Sequence, residues 1–271
     1  MQAGIKIAIS GKGGVGKTTV CAILSQLFAE EGFDVIAVDA DPDTNLSNAF
    51  GIAPEQSPEP LIKMKELIAE RTGTGKEAVG AYFKLNPKIS DLPDKYCLEM
   101  PENSLKLLSL GGISQAGAGC ACAEGAFLKA LLTHTILKRQ EVVLVDLAAG
   151  VEFMGRSSVQ GIDALVVVVE PGTRSIETAI NIARMAEQLG VKHVAGIINK
   201  VTSPGQIEAI KTQLNDITIL VAIDYSSEVQ QADLNCESVY PACPSVVEKL
   251  ATAKEALNNL LRADVDSKVS D

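Results

Sequence analysis

At 271 residues the chain is long enough for one large α/β domain with a substantial core, and 46% hydrophobic content with 4% aromatic residues and no tryptophan favours aliphatic parallel strands over an aromatic-rich β-sandwich. A net charge of −10 argues against a surface that coats nucleic acid, which needs clustered Lys and Arg to release counterions, but leaves room for a small basic site. No apolar stretch reaches the roughly 18 residues of a membrane span, and the first apolar run, Ile5 to Ile9, feeds directly into a glycine-rich loop instead of a signal-peptide cleavage site. The expectation is a cytoplasmic protein without nucleic-acid or membrane partners. In that compartment the six cysteines, Cys21, Cys97, Cys120, Cys122, Cys236 and Cys243, are expected as free thiols or metal ligands.

The loop after the first strand fits the phosphate-loop pattern from Gly11 to Thr18, placed between a strand and a helix. Its four glycines let backbone N–H groups crowd a polyphosphate, and the helix start adds partial positive charge. Lys17 reaches the outer phosphates and Thr18 offers a hydroxyl to magnesium, so Gly13, Gly14, Val15, Gly16, Lys17, Thr18 and Thr19 form the candidate nucleotide cradle. Lys12 is a second lysine that the pattern does not need. The segment Lys12 to Thr19, KGGVGKTT, resembles the signature of the deviant-loop ATPases, the MinD, ParA and nitrogenase iron protein group. The resemblance implies a homodimer in which Lys12 reaches the nucleotide of the other subunit and stabilises charge on the transferring phosphoryl group, as an arginine finger does elsewhere.

Val20, Ile23, Leu24, Leu27 and Phe28 recur at helical spacing, so Thr18 to about Glu31 reads as an amphipathic helix ended by Gly32. Val35 to Val38 is a buried strand running into Asp39, Asp41 and Asn45, carboxylates and an amide at the strand end where doubly wound sheets bind ligands. The resemblance makes this segment switch I, with Asp41 orienting or activating the attacking water and Asp39 and Asn45 in support. Six prolines break residues 53–104, which read as an insertion or partner lobe carrying one helix, Leu61 to Glu70. A strand from Leu105 to Leu110 follows, then a glycine-rich loop from Gly117 to Gly125 with Cys120 and Cys122, then a helix from Phe127 to Lys138. Val142 to Val145 is a strand ending in Asp146, the apolar run plus Asp that holds magnesium directly or through water, and Gly150 beyond it is placed to offer its N–H to the terminal phosphate.

The β-branched run Leu165 to Val169 is expected to be covered on both faces. A helix from Ser175 to Leu189, a strand from Val194 to Ile198, a helix from Gln206 to Leu214, a strand from Thr218 to Ile223 and a final helix from Ser245 to Arg262 complete the alternation. Asn199 and Lys200 resemble the adenine-reading position of the group. Residues 263–271 read as a polar, frayed tail. The pattern is that of a single P-loop ATPase domain spanning 1–271, with a doubly wound, mostly parallel sheet and helices on both faces.

Two thiolates one residue apart, Cys120 and Cys122, make half of a tetrahedral metal set, and softness alone does not separate Zn, Ni and an iron–sulfur cluster. Cys236 and Cys243 lack a standard chelating spacing and read as structural. Together with the loop, Glu66 to Gly73, Phe83 to Pro87, Gly119 to Cys122, Gly150 to Glu152, Gly155-Arg156 and Ile198 to Lys200 resemble the CooC-type nickel-insertion accessory ATPases of carbon monoxide dehydrogenase and their relatives serving acetyl-CoA synthase. That resemblance implies ATP/ADP and Mg2+ as ligands, a Ni2+ or Zn2+ ion shared by the Cys120 and Cys122 pairs of two subunits, and carbon monoxide dehydrogenase or acetyl-CoA synthase as client. Two positions depart from the family pattern, Ala148 where an acidic residue is usual and Phe153 where a histidine is usual. A redox protein resembling the nitrogenase iron protein is the alternative, but no cysteine follows Asp146 before Cys236. A membrane-positioning or DNA-partitioning ATPase would carry a basic amphipathic C-terminal helix or a basic patch, whereas the last nine residues hold three aspartates and one lysine.

Overall fold

The computed structural model describes residues 4–74, 84, 87–100, 104–111, 127, 130, 141–148 and 161–267. Among them one eight-stranded sheet runs in the order β3-β4-β2-β5-β1-β6-β7-β8. The strands are β1 (Ile5–Gly11), β2 (Asp34–Ala40), β3 (Leu98–Met100), β4 (Leu105–Ser109), β5 (Glu141–Leu147), β6 (Ala164–Val169), β7 (His193–Val201) and β8 (Thr218–Asp224). Every pairing is parallel except that of β3 with β4. β1 lies inside the sheet, with β2 and β4 to one side and β6, β7 and β8 to the other, so a crevice opens beyond its C-terminal end.

All seven residues of β1 and all six of β6 are buried, which is why these segments carry near-continuous aliphatic runs. Alternation along β1 splits the core between the two faces of the sheet. Ile5, Ile7 and Ile9 pack with α1 (Lys17–Glu30) and with Leu250 and Leu257 of the C-terminal helix, while Ala8 packs on the opposite face with Ile176 and Ile182. Phe28 of α1 is fully buried and meets Phe33 edge to face at 5.8 Å. α1 ends as the sequence implies: Gly32 has φ 85° and donates to the Ala29 carbonyl at 2.9 Å.

The segment after β2 departs from expectation. After α2 (Leu46–Ala49), the helix expected over Leu61 to Glu70 divides into a tight turn, Leu61–Lys63, and α3 (Lys65–Thr72). Met64, at φ −79° and ψ 70°, leaves helical geometry between the two pieces, and Ile62 N–H ties the turn to the Leu110 carbonyl at 3.0 Å. Leu61, Ile68, Ile89 and Leu92 are buried in the main core. α4 (Leu92–Tyr96) and β3 then close one edge of the sheet, and Arg71 clamps Asp91 by a two-pronged ion pair at 2.7 and 2.9 Å.

Further helices among the described residues are α5 (Thr173–Gln188), α6 (Pro204–Gln213), α7 (Ser227–Asn235), α8 (Val239–Ala242) and α9 (Pro244–Ser267), and most of the helix expected from Phe127 to Lys138 lies outside those residues. α9 continues through residues expected to fray, because no Gly or Pro after Pro244 interrupts it. No helix among the described residues is long and apolar enough to cross a membrane.

Candidate functional site: a nucleotide cleft

A cleft of about 610 Å³ opens beyond the C-terminal ends of β1, β2, β5, β7 and β8. Its floor is the loop between β1 and α1. Two glycines there are obligatory on steric grounds. A Cβ on Gly11 would collide with the Val168 carbonyl, and one on Gly16, at φ 98°, would lie 2.5 Å from Asn199 Nδ2. Lys17 lines the cleft with only 6% of its surface exposed, and its Nζ donates to the Lys12 carbonyl at 3.4 Å.

Thr18 Oγ1 donates to Asp146 Oδ2 at 2.7 Å. The second oxygen, Asp146 Oδ1, is buried without a hydrogen-bond partner among the described residues. An orphaned carboxylate oxygen beside a hydroxyl at a phosphate loop fits a magnesium ion, held by Thr18 and Asp146 directly or through water. Asp39 stands beside Asp146 in the register of β2 and β5. Burial pushes both carboxyls up, Asp39 to about 7 and Asp146 to about 6; the Thr18 hydroxyl and Lys17 oppose the rise at Asp146.

Asp39 also organises the loop that follows it. Its Oδ1 accepts from Asp41 N–H at 3.2 Å and its Oδ2 from Leu46 N–H at 2.9 Å. Asp41 and Asn45 both line the cleft, and Asp41 Oδ1 accepts from Asp43 N–H at 3.0 Å. Ala148 is buried and also lines the cleft. The structure thus brings together Gly13, Gly14, Gly16, Lys17, Thr18, Thr19, Asp41 and Asn45, with Asp39 and Asp146 behind them. Val15 is buried beneath the loop in the core. Gly150, Phe153, Cys120 and Cys122 lie outside the described residues. Among the described residues no group of three or more His, Cys, Asp or Glu is arranged to hold a metal ion. Cys243 is fully buried in the core, and Cys236 is exposed in a left-handed turn at φ 53°.

Asn199 and Lys200 reach the cleft, but the structure gives their side chains to the loop. Asn199 Nδ2 donates to the Val15 carbonyl at 2.8 Å, and Lys200 Nζ donates to the Gly14 carbonyl. The far wall comes from residues the sequence reading missed. Asp224 at the end of β8, Tyr225 and Ser226 beyond it, Val229, Gln230 and Asp233 of α7, and Val239 and Val246 line it. Tyr225 Oη donates to Gln230 Oε1 at 2.8 Å, and Asn48 Nδ2 donates to Asp233 Oδ1 at 2.7 Å, joining α2 to α7 across the rim. The available signal was position alone: β8 ends at the same level as β1 and β2, where such sheets bind ligands.

Lys12 behaves differently from Lys17. It is not among the residues lining the cleft; its side chain is 41% exposed and its Nζ lies 4.0 Å from Glu170 Oε1.

Residues 6–239 match the CobQ/CobB/MinD/ParA nucleotide binding domain. The carbon monoxide dehydrogenase accessory protein CooC of Rhodospirillum rubrum is 41% identical over 254 residues, covering 92% of this chain and 95% of that protein. An uncharacterized ATP-binding protein of Methanocaldococcus jannaschii is 40% identical over 232 residues, 84% of this chain and 88% of that one. Among solved structures, the septum site-determining protein MinD of Pyrococcus horikoshii, complexed with Mg-ADP, superposes with a TM-score of 0.69 at 20% identity, covering 95% of this chain and 97% of that chain, a likeness of fold. The chain belongs to the CobQ/CobB/MinD/ParA nucleotide-binding family, as a relative of the carbon monoxide dehydrogenase accessory protein CooC.

Proposed function

We propose that the protein is a homodimeric ATPase that binds nickel through Cys120 and Cys122 of both subunits and delivers it to carbon monoxide dehydrogenase or acetyl-CoA synthase. Membership of the family makes it a nucleotide-dependent ATPase, with ATP or ADP and Mg2+ as the implied ligands. Placement of Lys12 carries the dimeric part of the reading. A lysine of the signature loop that lies outside its own cleft, 41% exposed, is available to a neighbouring subunit, whereas Lys17 is committed within. Kinship to an accessory protein of carbon monoxide dehydrogenase supports the client, and the soft thiolate pair suits nickel as cargo.

The chemistry follows from the cleft. Loop N–H groups and Lys17 hold the β- and γ-phosphates, and Asp41 orients water in line with the γ-phosphorus. Thr18 and Asp146 would hold magnesium, which would supply charge neutralisation to the phosphates. Lys12 of one subunit stabilises the charge that grows on the leaving oxygen in the other. Hydrolysis removes the γ-phosphate that draws the two subunits together, which loosens the shared thiolate site and releases the ion to the client.

Exchanging both Cys120 and Cys122 for Ala is expected to abolish stoichiometric nickel and zinc uptake while leaving ATP affinity within about twofold of the parent. Metal titration of the purified protein, with and without nucleotide, measures both quantities. Undiminished metal uptake by the double variant would remove the thiolate assignment. Iron and sulfide in an anaerobic preparation would turn it toward a bridging cluster.

A further inference from the structure

Glu170 follows the last residue of β6. It faces two lysines from separate elements. Its Oε1 lies 4.0 Å from Lys12 Nζ and its Oε2 lies 3.3 Å from Lys200 Nζ. The main chain that carries this carboxylate is anchored, because Glu170 N–H donates to Ser175 Oγ at 3.1 Å and Ser175 is 2% exposed. Glu170 itself is absent from the residues that line the cleft.

The two lysines on Glu170 have different second partners. Lys200 Nζ also donates to the Gly14 carbonyl, with Lys200 held at φ 58° where β7 and β8 slip in register. That left-handed backbone is uncommon for a residue with a long side chain, and it turns the lysine back onto the loop. Lys200 is therefore fixed by two partners, and it fixes Glu170 in turn. Among the described residues Lys12 has this carboxylate alone as its charged partner, across 4.0 Å. A fixed carboxylate facing a half-exposed lysine is a weak, reversible hold, worth less than a buried pair.

We propose that Glu170 is a positioning residue that holds Lys12 on its own subunit until a second, nucleotide-loaded subunit offers the lysine a more negative partner. The inference rests on the reading that Lys12 acts across the dimer, and it deepens that reading by naming what opposes the crossing. A triphosphate carries more charge than one carboxylate, and hydrolysis removes the γ-phosphate, the group that the crossed lysine faces. The hold therefore yields to ATP and recaptures Lys12 after the γ-phosphate leaves. Each crossing breaks one Lys12–Glu170 pair, so a symmetric dimer breaks two.

The test uses the full chain with Mg-ATP and compares the parent with Glu170→Gln, an isosteric change that keeps an oxygen for Lys200. ATPase rate is followed as a function of protein concentration, and sedimentation velocity gives the dimer fraction. A surface pair of this kind supports a change of about threefold per subunit, hence about tenfold in the dimer constant. The expected result is a half-saturating protein concentration for Glu170→Gln lower than that of the parent, with the plateau rate and the ATP affinity of dilute monomer unaltered. The same exchange made in Lys12→Ala protein is expected to change nothing, which a merely structural role for Glu170 would not predict. Equal half-saturating concentrations in the parent and Glu170→Gln overturn the proposal, as does a shift that persists without Lys12. Normal turnover by Lys12→Ala alone would instead overturn the underlying reading, so the two failures are told apart.

Discussion

The two halves of the cleft are built by different means. The phosphate half comes from one continuous stretch, Gly11 to Thr19, backed by Asp39 and Asp146 from the neighbouring strands. It works through backbone N–H groups, one buried lysine and two buried carboxylates. The far half is assembled from the end of β8, from α7 and from the residues beyond it, and its lining mixes Val229, Val239 and Val246 with the neutral Tyr225–Gln230 pair. Charge density with fixed backbone geometry suits a polyphosphate, while an apolar slot with a few hydrogen-bonding groups suits a flat heterocycle. Chemical steps are therefore expected to be sensitive to single changes in the first half and forgiving of them in the second.

The largest expected effect tests whether the phosphate half is complete within one subunit. Lys12→Ala is expected to keep ATP affinity and to lower hydrolysis by about a thousandfold, the scale of a trans cation in phosphoryl transfer. Equilibrium binding of a non-hydrolysable analogue, set beside the steady-state rate, separates the two. A variant that loses both would place Lys12 inside its own cleft after all.

A smaller effect comes from pH, and it arises in the phosphate half alone. Burial raises Asp39 to about 7 and Asp146 to about 6, above the range of an unfolded carboxyl. Between about pH 4 and these values the folded, nucleotide-free protein holds protons that the unfolded chain has released, so its stability falls as pH rises. From pH 5.5 to 8 the loss expected from Asp39 alone is about 2 kcal/mol, since the group resists ionisation over roughly one and a half pH units. Magnesium nucleotide, which requires the ionised carboxylates, should oppose the trend, so the gain in melting temperature on adding Mg-ADP is expected to widen toward pH 8. A gain that stays constant over this range would show that neither carboxyl titrates against the cation.

The smallest effect probes the far half. Asp233→Ala removes the carboxylate acceptor that ties α7 to Asn48 at the exposed rim of the cleft and leaves the longer bond, 3.4 Å, to the backbone carbonyl. The expected cost is about threefold to tenfold in ATP affinity, in keeping with one modest hydrogen bond, with the rate at saturation unaltered. A change in the rate at saturation would join this rim to switch I and weaken the division between the halves.

The same division decides what could be read before the structure. The loop, Asp39, Asp41 and Asp146 were legible because each lies within or at the end of a strand whose residue types mark it, and parallel pairing brings strand ends to one level. α7 was not legible. Its residues are mostly polar, only Ala232 is buried, and no apolar stripe separates it from a loop. Asn199 lines the cleft, but its bond to Val15, across 184 residues, depends on how β7 is set against β1 through β6. The helix expected over Leu61 to Glu70 is divided at Met64, and its first turn is tied to the distant Leu110 carbonyl, a contact that no local pattern shows. Glu170 carried no motif at all. Its significance lies in lysines brought to it from Lys12 and Lys200, far apart along the chain.

One further consequence attaches to the two bonds that Asp39 accepts. They pin the chain at Asp41 and again at Leu46, so the stretch carrying Asp41 is a tether anchored at both ends to a single carboxylate. A tether of that kind has a short, fixed radius. The Asp41 side chain can turn about its anchor, but it cannot be carried far by rearrangements elsewhere in the molecule. If Asp41 aims the attacking water as proposed, loosening the anchor is expected to lower the rate at saturation before it weakens the grip on ATP.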